Sequence, residues 1–472
     1  MTMKTLTRLL PGDELCRMPA LELRKRYRER SLSPVEVVEA QIAQAERVEP
    51  VVNAFTETFF EAALAQAREA EARYGGRGEV RPLEGLTVAV KDVYDQVGAR
   101  TTRGSRVVES PVAEADHPVV ARIRAAGGIL HARSTTSEFA MGWITATKAW
   151  GVTRNPWNTD VTPGGSSGGS AASLAAGTST LAIGGDSAGS VRVPAAMCGI
   201  AGYKPPHGRV PDPDEGHDVY SVIGPMGQTV GDCALLLNVI SGCHAADMHS
   251  LRERVAVPEG LGSGSRPRLA VSFDLGPTGP EAGVRRVLDE AVARLAAAGA
   301  EIGHPAIDWP GDITEAASHH ASVMLGDAIT RYFPDRAEEL SPYLVWQREQ
   351  LEGARVSALA EERACAQRLY AQLEPVLRDH DALLCPTTLV NDVGAEQMPW
   401  ERMEVNGVSL NTDYDWVTTH AFNMLGVLPV LTVPVGRAEN GIPVGVQVVA
   451  RSFDDITAFR AAAFVEAVMG AG

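Results

Sequence analysis

TPGGSSGGSAASLAAGTSTLAIGGDSAGSVRVPAA, residues Thr162 to Ala196, carries two glycine/serine turns. The first is Gly164-Gly165-Ser166-Ser167-Gly168-Gly169-Ser170 and the second Gly184-Gly185-Asp186-Ser187-Ala188-Gly189-Ser190. Between them lie a small-residue helix candidate, Ala171–Ala176, and an apolar run with β-formers, Thr178–Ile183. Two tight turns joined by a compact helix and strand bring two serines together, and the 24 residues from Ser166 to Ser190 suit that path.

Glycine at this density lets backbone approach a ligand closely. Successive N–H groups in such turns converge on an anion, either a phosphate or the oxyanion of acyl transfer. No lysine follows the glycines, so the P-loop pattern is absent, and G-x-G-x-x-G is matched in neither turn. A serine-centred site or a plain structural turn remains. Upstream, Gly85-Leu86-Thr87-Val88-Ala89-Val90-Lys91-Asp92 is a strand candidate that ends in a lysine. Such a lysine is usually a solvated charge. With a serine in each glycine turn, it also makes a relay that needs no histidine.

The pieces AVKD around Lys91, PGGSSGGSAA around Ser166 and GGDSAGSVRVPAAMCGIAGYKP around Ser190 resemble the amidase signature family, the Ser-cisSer-Lys hydrolases. RSTTSEFAMG at Arg133–Gly142, TRNPWN at Thr153–Asn158 and LGVLPVLTVPVG…GIPVGVQVV near the C-terminus extend the likeness over most of the chain. The resemblance implies Ser190 as nucleophile, Ser166 as a bridging serine behind a cis peptide from Gly165, and Lys91 as general base. It implies an oxyanion hole from the backbone N–H groups of Ser187, Ala188, Gly189 and Ser190. Many members carry Gly-Gly before the nucleophile where this chain has Ala188-Gly189, which is tolerable if Ala188 keeps a negative φ. Within the family the likeness is closer to metagenome-derived urethanases, which split carbamate bonds.

A serine hydroxyl attacks only when a base takes its proton. Lysine is that base only when neutral, and its reference pKa is about 10.4. Burial disfavours the ammonium. A drop of about 2–3 units corresponds to roughly 3–4 kcal/mol. Asp92 opposes that drop if its carboxylate meets the amine, so it is expected to face a backbone N–H or another cation. Asp186 and Arg192 are expected to brace the Ser190 turn as a pair, and Lys204 to be structural. A G-x-S-x-G elbow with a histidine base is a competing scheme, since the pattern occurs at Ser167 and Ser187, but no histidine falls in the motifs. His319-His320 is a weak metal candidate, because adjacent helical residues diverge.

The chain has 472 residues, 45% hydrophobic and 22% charged, with a net charge of −16. That is ordinary globular composition, and it lacks the basic footprint nucleic acid requires. The six cysteines have no CxxC spacing. Reduced thiols and a cytoplasmic location are expected. No signal peptide is read in Met1–Pro11, and no membrane span anywhere. No metal and no cofactor is expected, and the partner is a small molecule. Oligomeric state is not legible.

Ser33-Pro34-Val35-Glu36 is a capping box that opens a helix to about Val48, and Glu57–Tyr74 reads as a second helix. Residues 1–80 are therefore expected as helices wrapping the core. From Leu83, strands and helices alternate: Leu86–Val90, Pro118–Ala126, Ile129–Arg133, Gly169–Ala176 and Thr178–Ile183, then Leu269–Phe273 and Glu281–Ala298 after a loop at Pro258–Pro267. Helices follow at Ile313–Tyr332 and Arg355–His380, and buried strands at Ala382–Cys385, Val427–Val433 and Val444–Val449. The fold class is α/β, and the family implies one domain over 1–472 with a large mixed sheet flanked by helices on both faces. A helical insertion at 310–380 is expected to shape the substrate channel.

The resemblance implies cleavage of amide or carbamate C–N bonds of small aryl or alkyl substrates. A glutamine-using amidotransferase component and a non-catalytic binding protein of the same fold are the alternatives. Met141, Gly142, Trp143, Ile144 and Gly165 are candidates for substrate binding. Trp150 and Trp416–Leu428 are further candidates for an apolar pocket, with core packing as the competing reading for each.

Overall fold

The computed structural model describes residues 14–216, 218–261, 266–332, 336–351, 357–410 and 414–470. The Met1–Pro11 reading lies outside them, and the Pro258–Pro267 loop lies partly outside. The strands of the main sheet are β1 (Phe55–Thr58), β2 (Thr87–Lys91), β3 (Ile129–Ser134), β4 (Leu181–Asp186), β5 (Ala201–Lys204), β6 (Val222–Gly227), β7 (Arg268–Val271), β8 (Glu301–Gly303), β9 (Ala382–Pro386), β10 (Val430–Arg437) and β11 (Pro443–Val449). Their order is β1-β3-β2-β4-β6-β5-β10-β11-β9-β7-β8. Parallel blocks β3-β2-β4 and β9-β7-β8 are separated by antiparallel strands, so the sheet is mixed, as expected.

The helices are α1 (Ala20–Glu29), α2 (Pro34–Val52), α3 (Phe60–Tyr74), α4 (Pro118–Ala125), α5 (Gly168–Ala175), α6 (Arg192–Cys198), α7 (Val230–Ile240), α8 (Ala282–Ala297), α9 (Ile313–Tyr332), α10 (Pro342–Leu351), α11 (Ser357–Asp379), α12 (His420–Met424) and α13 (Asp455–Met469). The capping box at Ser33 is formed, with Ser33 accepting from Val35 N–H and Glu36 reaching back to Ser33 N–H at 2.8 Å. None of the described helices is long and apolar enough to cross a membrane.

Side-chain alternation assigns the two faces. Val88, Val90, Leu181 and Ile183 pack on the face covered by α4, α7, α8 and α13. Ala89 and Ala182 pack on the other, against α2, α5 and α6. The alanines let α5 lie close to the strands. Ser170 secures it, donating to Ile183 O at 3.1 Å and lying 2.7 Å from Ser134 Oγ. Lys91 has the same parity as Ala89, so it emerges on the α5/α6 side at the strand's C-terminal end.

Two expected boundaries move. Glu57 and Thr58 belong to edge strand β1, which pairs antiparallel with β3, and the helix starts at Phe60. The strand expected at Thr178 starts at Leu181, because Thr178 N–H still closes α5 through Ser173 O at 2.8 Å and the chain must then turn.

Candidate active site

Strands β2 and β4 are parallel neighbours, so Lys91 and Asp186 arrive at the same edge of the sheet. Ligands in open α/β sheets gather at such C-terminal strand ends. The loop into α5 supplies Ser166, and the turn from β4 into α6 supplies Ser190. The Gly165–Ser166 peptide is cis. Lys91 Nζ donates to Ser166 Oγ at 2.7 Å, and both residues are fully buried. Ser167 N–H donates to Ser190 O at 3.1 Å and ties the two serine loops together. Ser190 is 7% exposed and faces a small pocket.

Burial pushes the Lys91 ammonium down to about 7, against the pull of Glu215 and Asp186. Asp92 contributes no charge there. Its carboxylate takes Arg133 Nη2 at 2.9 Å, Thr102 N–H at 3.0 Å and the Thr102 hydroxyl. The expectation that Asp92 turns elsewhere holds.

The expected Asp186–Arg192 pair is formed at 2.9 Å with both side chains wholly buried. Burial would raise the Asp186 carboxyl, but the Arg192 charge, its hydrogen bonds and Asn423 outweigh that and hold it at about 2. Asp186 also accepts from Gly189 N–H at 2.9 Å and Val191 N–H at 3.2 Å, so it shapes the turn that carries Ser190. This corrects one expected oxyanion donor. The Gly189 N–H is committed to Asp186, which leaves Ser187, Ala188 and Ser190. Ala188 does not adopt a positive φ, whereas Gly189 takes φ 125°. Lys204 sits on β5, with Nζ donating to Pro205 O at 3.2 Å.

The Ser190 pocket, about 50 Å³, adjoins a larger cavity of about 620 Å³. Gly142, Trp143 and Gln347 line both. Met141 lines the small pocket and Ile144 the large one. Gly165 lines neither. It packs behind them, where a Cβ would meet Gly142 O at 2.6 Å. Four of the seven tryptophans, Trp143, Trp346, Trp400 and Trp416, line the large cavity and make its wall aromatic. Trp150 does not; its indole N–H binds Thr102 Oγ1 at 3.0 Å. Beyond Trp416, Phe422, Leu425 and Leu428 are core. Residues 310–380 reach both spaces, through Ala317, His320 and Ala321 in the small pocket and Tyr343 and Trp346 in the large cavity.

Sequence reasoning missed Asp218 and Tyr220 in the Ser190 pocket and weighed His320 only as a metal ligand. His320 Nε2 lies 2.8 Å from Asp218 Oδ1, and its ring stacks on Tyr220 at 3.7 Å. His319 is on the outer side of α9, near Glu315, so the adjacent pair diverges. His117, Asp212 and Asp214 bring ligand-type atoms within 4.8 Å of one another. However, His117 Nδ1 accepts Val119 N–H, which leaves the proton on Nε2, facing Asp212 at 3.6 Å. That tautomer has no lone pair to give a cation.

A family model described as amidase matches residues 36–458. A glutamyl-tRNA(Gln) amidotransferase subunit from Anaeromyxobacter dehalogenans (strain 2CP-C) is 34% identical, with 98% of each chain covered. A 6-aminohexanoate cyclic dimer hydrolase solved with substrate superposes with TM-score 0.81 at 27% identity, covering 96% of this chain and 97% of that one. The corresponding glutamyl-tRNA(Gln) amidotransferase subunit from Thermotoga maritima superposes with TM-score 0.73 at 28% identity, covering 95% and 94%. Together with the buried Lys91–Ser166 contact at the sheet edge, these matches establish that the chain belongs to the amidase family, the amidase signature enzymes that act on carbon–nitrogen bonds.

Proposed function

We propose that the protein hydrolyses small aryl or alkyl amides and carbamates through a Ser190 acyl-enzyme. The observation that carries this reading is the buried Lys91–Ser166 hydrogen bond of 2.7 Å beside an aromatic cavity of about 620 Å³. Neutral Lys91 takes the Ser166 proton, and Ser166 takes the Ser190 proton as Ser190 Oγ attacks the carbonyl carbon. The oxyanion gathers the N–H groups of Ser187, Ala188 and Ser190. On collapse the proton returns through Ser166 to the leaving nitrogen, and the C–N bond breaks. Water then attacks the acyl-enzyme, gives its proton to the same relay, and releases the acid and Ser190. A carbamate follows the same steps: the amine leaves first, water releases a carbonic acid monoester from Ser190, and that monoester loses carbon dioxide to give the alcohol. Urethane cleavage is our finer reading, supported by the room for an aryl group beside Ser190.

An amidotransferase component is the second reading, and the names of the 34%-identical relatives favour it. Three observations favour the hydrolase. Four tryptophans line the space where the α-carboxylate and amine of glutamine would need charged partners. The charged side chains on that lining, Lys148, Glu396, Glu401 and Arg402, are all solvent-exposed. At nearly equal identity, the cyclic dimer hydrolase superposes more closely than the amidotransferase protein. None of the six cysteines forms a disulfide, which suits the proposed cytoplasmic location.

The test is amine or ammonia release from an aryl amide, an aryl carbamate and glutamine, with Ser190→Ala as control. Turnover of either aryl substrate, lost in Ser190→Ala, supports the reading. Turnover of glutamine alone overturns it in favour of the amidotransferase.

A further inference from the structure

Gln347, on α10 of the helical insertion, is one of three residues that line both the Ser190 pocket and the aromatic cavity. Of the other two, Gly142 has no side chain, and its carbonyl already accepts from Ser137 Oγ at 3.0 Å. Trp143 offers an indole N–H, which only donates. The Gln347 Oε1 is buried and has no hydrogen-bond partner among the described residues. A buried amide oxygen without a donor carries a desolvation penalty, so such an atom in a binding site marks where a ligand's donor belongs.

A molecule whose carbonyl meets Ser190 and whose bulk fills the aromatic cavity must pass this junction. With the leaving amine on the cavity side, the group next to the carbonyl on that path is the scissile N–H. The other small-pocket acceptors lie off this junction, since Asp218, Ser187 and His320 do not line the aromatic cavity. Asp218 Oδ1 is engaged with His320 Nε2 and Tyr220 N–H, Ser187 Oγ lies 2.6 Å from Ser221 Oγ, and His320 Nδ1, also buried without a partner among the described residues, lies 3.9 Å from Glu362 Oε2.

We infer that Gln347 Oε1 accepts the N–H of the scissile amide or carbamate and so selects N–H substrates over esters and N-alkylated amides. This rests on the hydrolase reading above. The hydrogen bond keeps the nitrogen lone pair turned toward the Ser166 side, where the returning proton arrives. Gln347 is thereby a specificity residue. It moves no proton itself.

The experiment compares Gln347→Leu and Gln347→Glu with the wild type on three matched probes: an anilide, its N-methyl derivative and the corresponding phenyl ester. For Gln347→Leu, the ratio of kcat/KM for anilide over ester falls about tenfold, because only the anilide loses a partner. The anilide's advantage over its N-methyl derivative shrinks in parallel. Gln347→Glu retains an acceptor and restores most of both ratios. An unchanged anilide-to-ester ratio in Gln347→Leu, whether both rates fall together or neither moves, overturns the inference and leaves the hydrolase reading intact. A wild type inert toward anilide, ester and aryl carbamate alike sinks the hydrolase reading, and the inference falls with it.

Discussion

Asp92 follows Lys91 in sequence yet gives its carboxylate to Arg133, at 2.9 Å, so the lysine is left without its nearest potential counter-ion. Strand alternation turns the two side chains to opposite faces. Arg133 on β3 fixes Asp92 there with its buried guanidinium. The consequence is a base that is half neutral near pH 7. Only the neutral amine starts the relay, so kcat/KM should climb about tenfold per pH unit below about 7 and level off above it. Arg133→Met releases the Asp92 carboxylate, which favours the ammonium. The ascending limb should then move to higher pH in a pH–rate profile. Breaking this buried pair also costs about 3–5 kcal/mol, so the profile must be taken below the variant's melting range. A limb that stays in place with Asp92 freed rules out Lys91 as the titrating group.

Lys91→Met should abolish turnover while raising thermal stability at neutral pH. The sign follows from proton counting. The unfolded lysine titrates near 10.5 and the folded one near 7, so between these values the unfolded state holds a proton that the folded state lacks. Wild-type stability therefore rises with pH over that window, by up to roughly 1.4 kcal/mol per unit. Methionine carries no such penalty. The variant's advantage should be greatest below about pH 7 and close by about 10.5, as read by Tm across a pH series. A Lys91→Met enzyme that kept its turnover, with His320→Ala losing it, would hand the base role to the Asp218–His320 pair.

The turn before Ser190 has no room at one position and some at the next. A Cβ on Gly189, at φ 125°, would collide with Thr419 Oγ1. Thr419 in turn donates to Ala188 O. Gly189→Ala should therefore displace Ser190 and lower kcat by at least about 100-fold, since misplacing a reacting group by an ångström costs that much. Ala188→Gly restores the family's more frequent pair and should change kcat less than about threefold. It loosens the unfolded chain, which costs about 0.4–1 kcal/mol. Single-turnover rates and denaturant midpoints for both variants check the two claims.

The site was legible where chemistry and local spacing coincide. Lys91 closes a run of buried β-formers, and Ser166 and Ser190 sit in glycine turns on either side of α5 and β4, so the strand order brings them together. The Asp186–Arg192 brace was legible because six residues span one turn. Strand β6 was not, since Gly224 and Pro225 interrupt a run buried on both faces and leave no alternation to detect. Asp218, Gln347 and the pocket position of His320 were invisible for another reason. They reach Ser190 from segments far along the chain, and nothing local distinguishes a histidine or glutamine that faces a pocket from one on an outer helical face. That Gly165, a candidate for substrate binding, packs behind both spaces was not legible either, because a glycine that permits close packing and one that permits close ligand approach read alike.

Trp346 tests whether the aromatic cavity recognises substrate. It lies on α10 with its ring 6.2 Å from Trp400 across the cavity wall, and the backbone of α10 needs no indole there. Trp346→Ala enlarges the cavity without touching the relay. For an aryl carbamate, kcat/KM should fall about tenfold, mostly through KM, because buried aromatic contact is lost while the carbonyl still meets Ser190. For acetamide, which is too small to reach the Trp346 ring from Ser190, kcat/KM should change less than twofold. This difference separates two roles for the insertion. A tryptophan that merely stabilises α10 would lower both activities together, because a shifted α10 also moves Gln347 at the pocket junction. Loss confined to the aryl substrate assigns the aryl ring of the leaving amine to the cavity. If glutamine were the substrate, removing an indole from an apolar wall would leave its turnover unmoved, so the same variant, run on all three compounds, discriminates the two readings of the family.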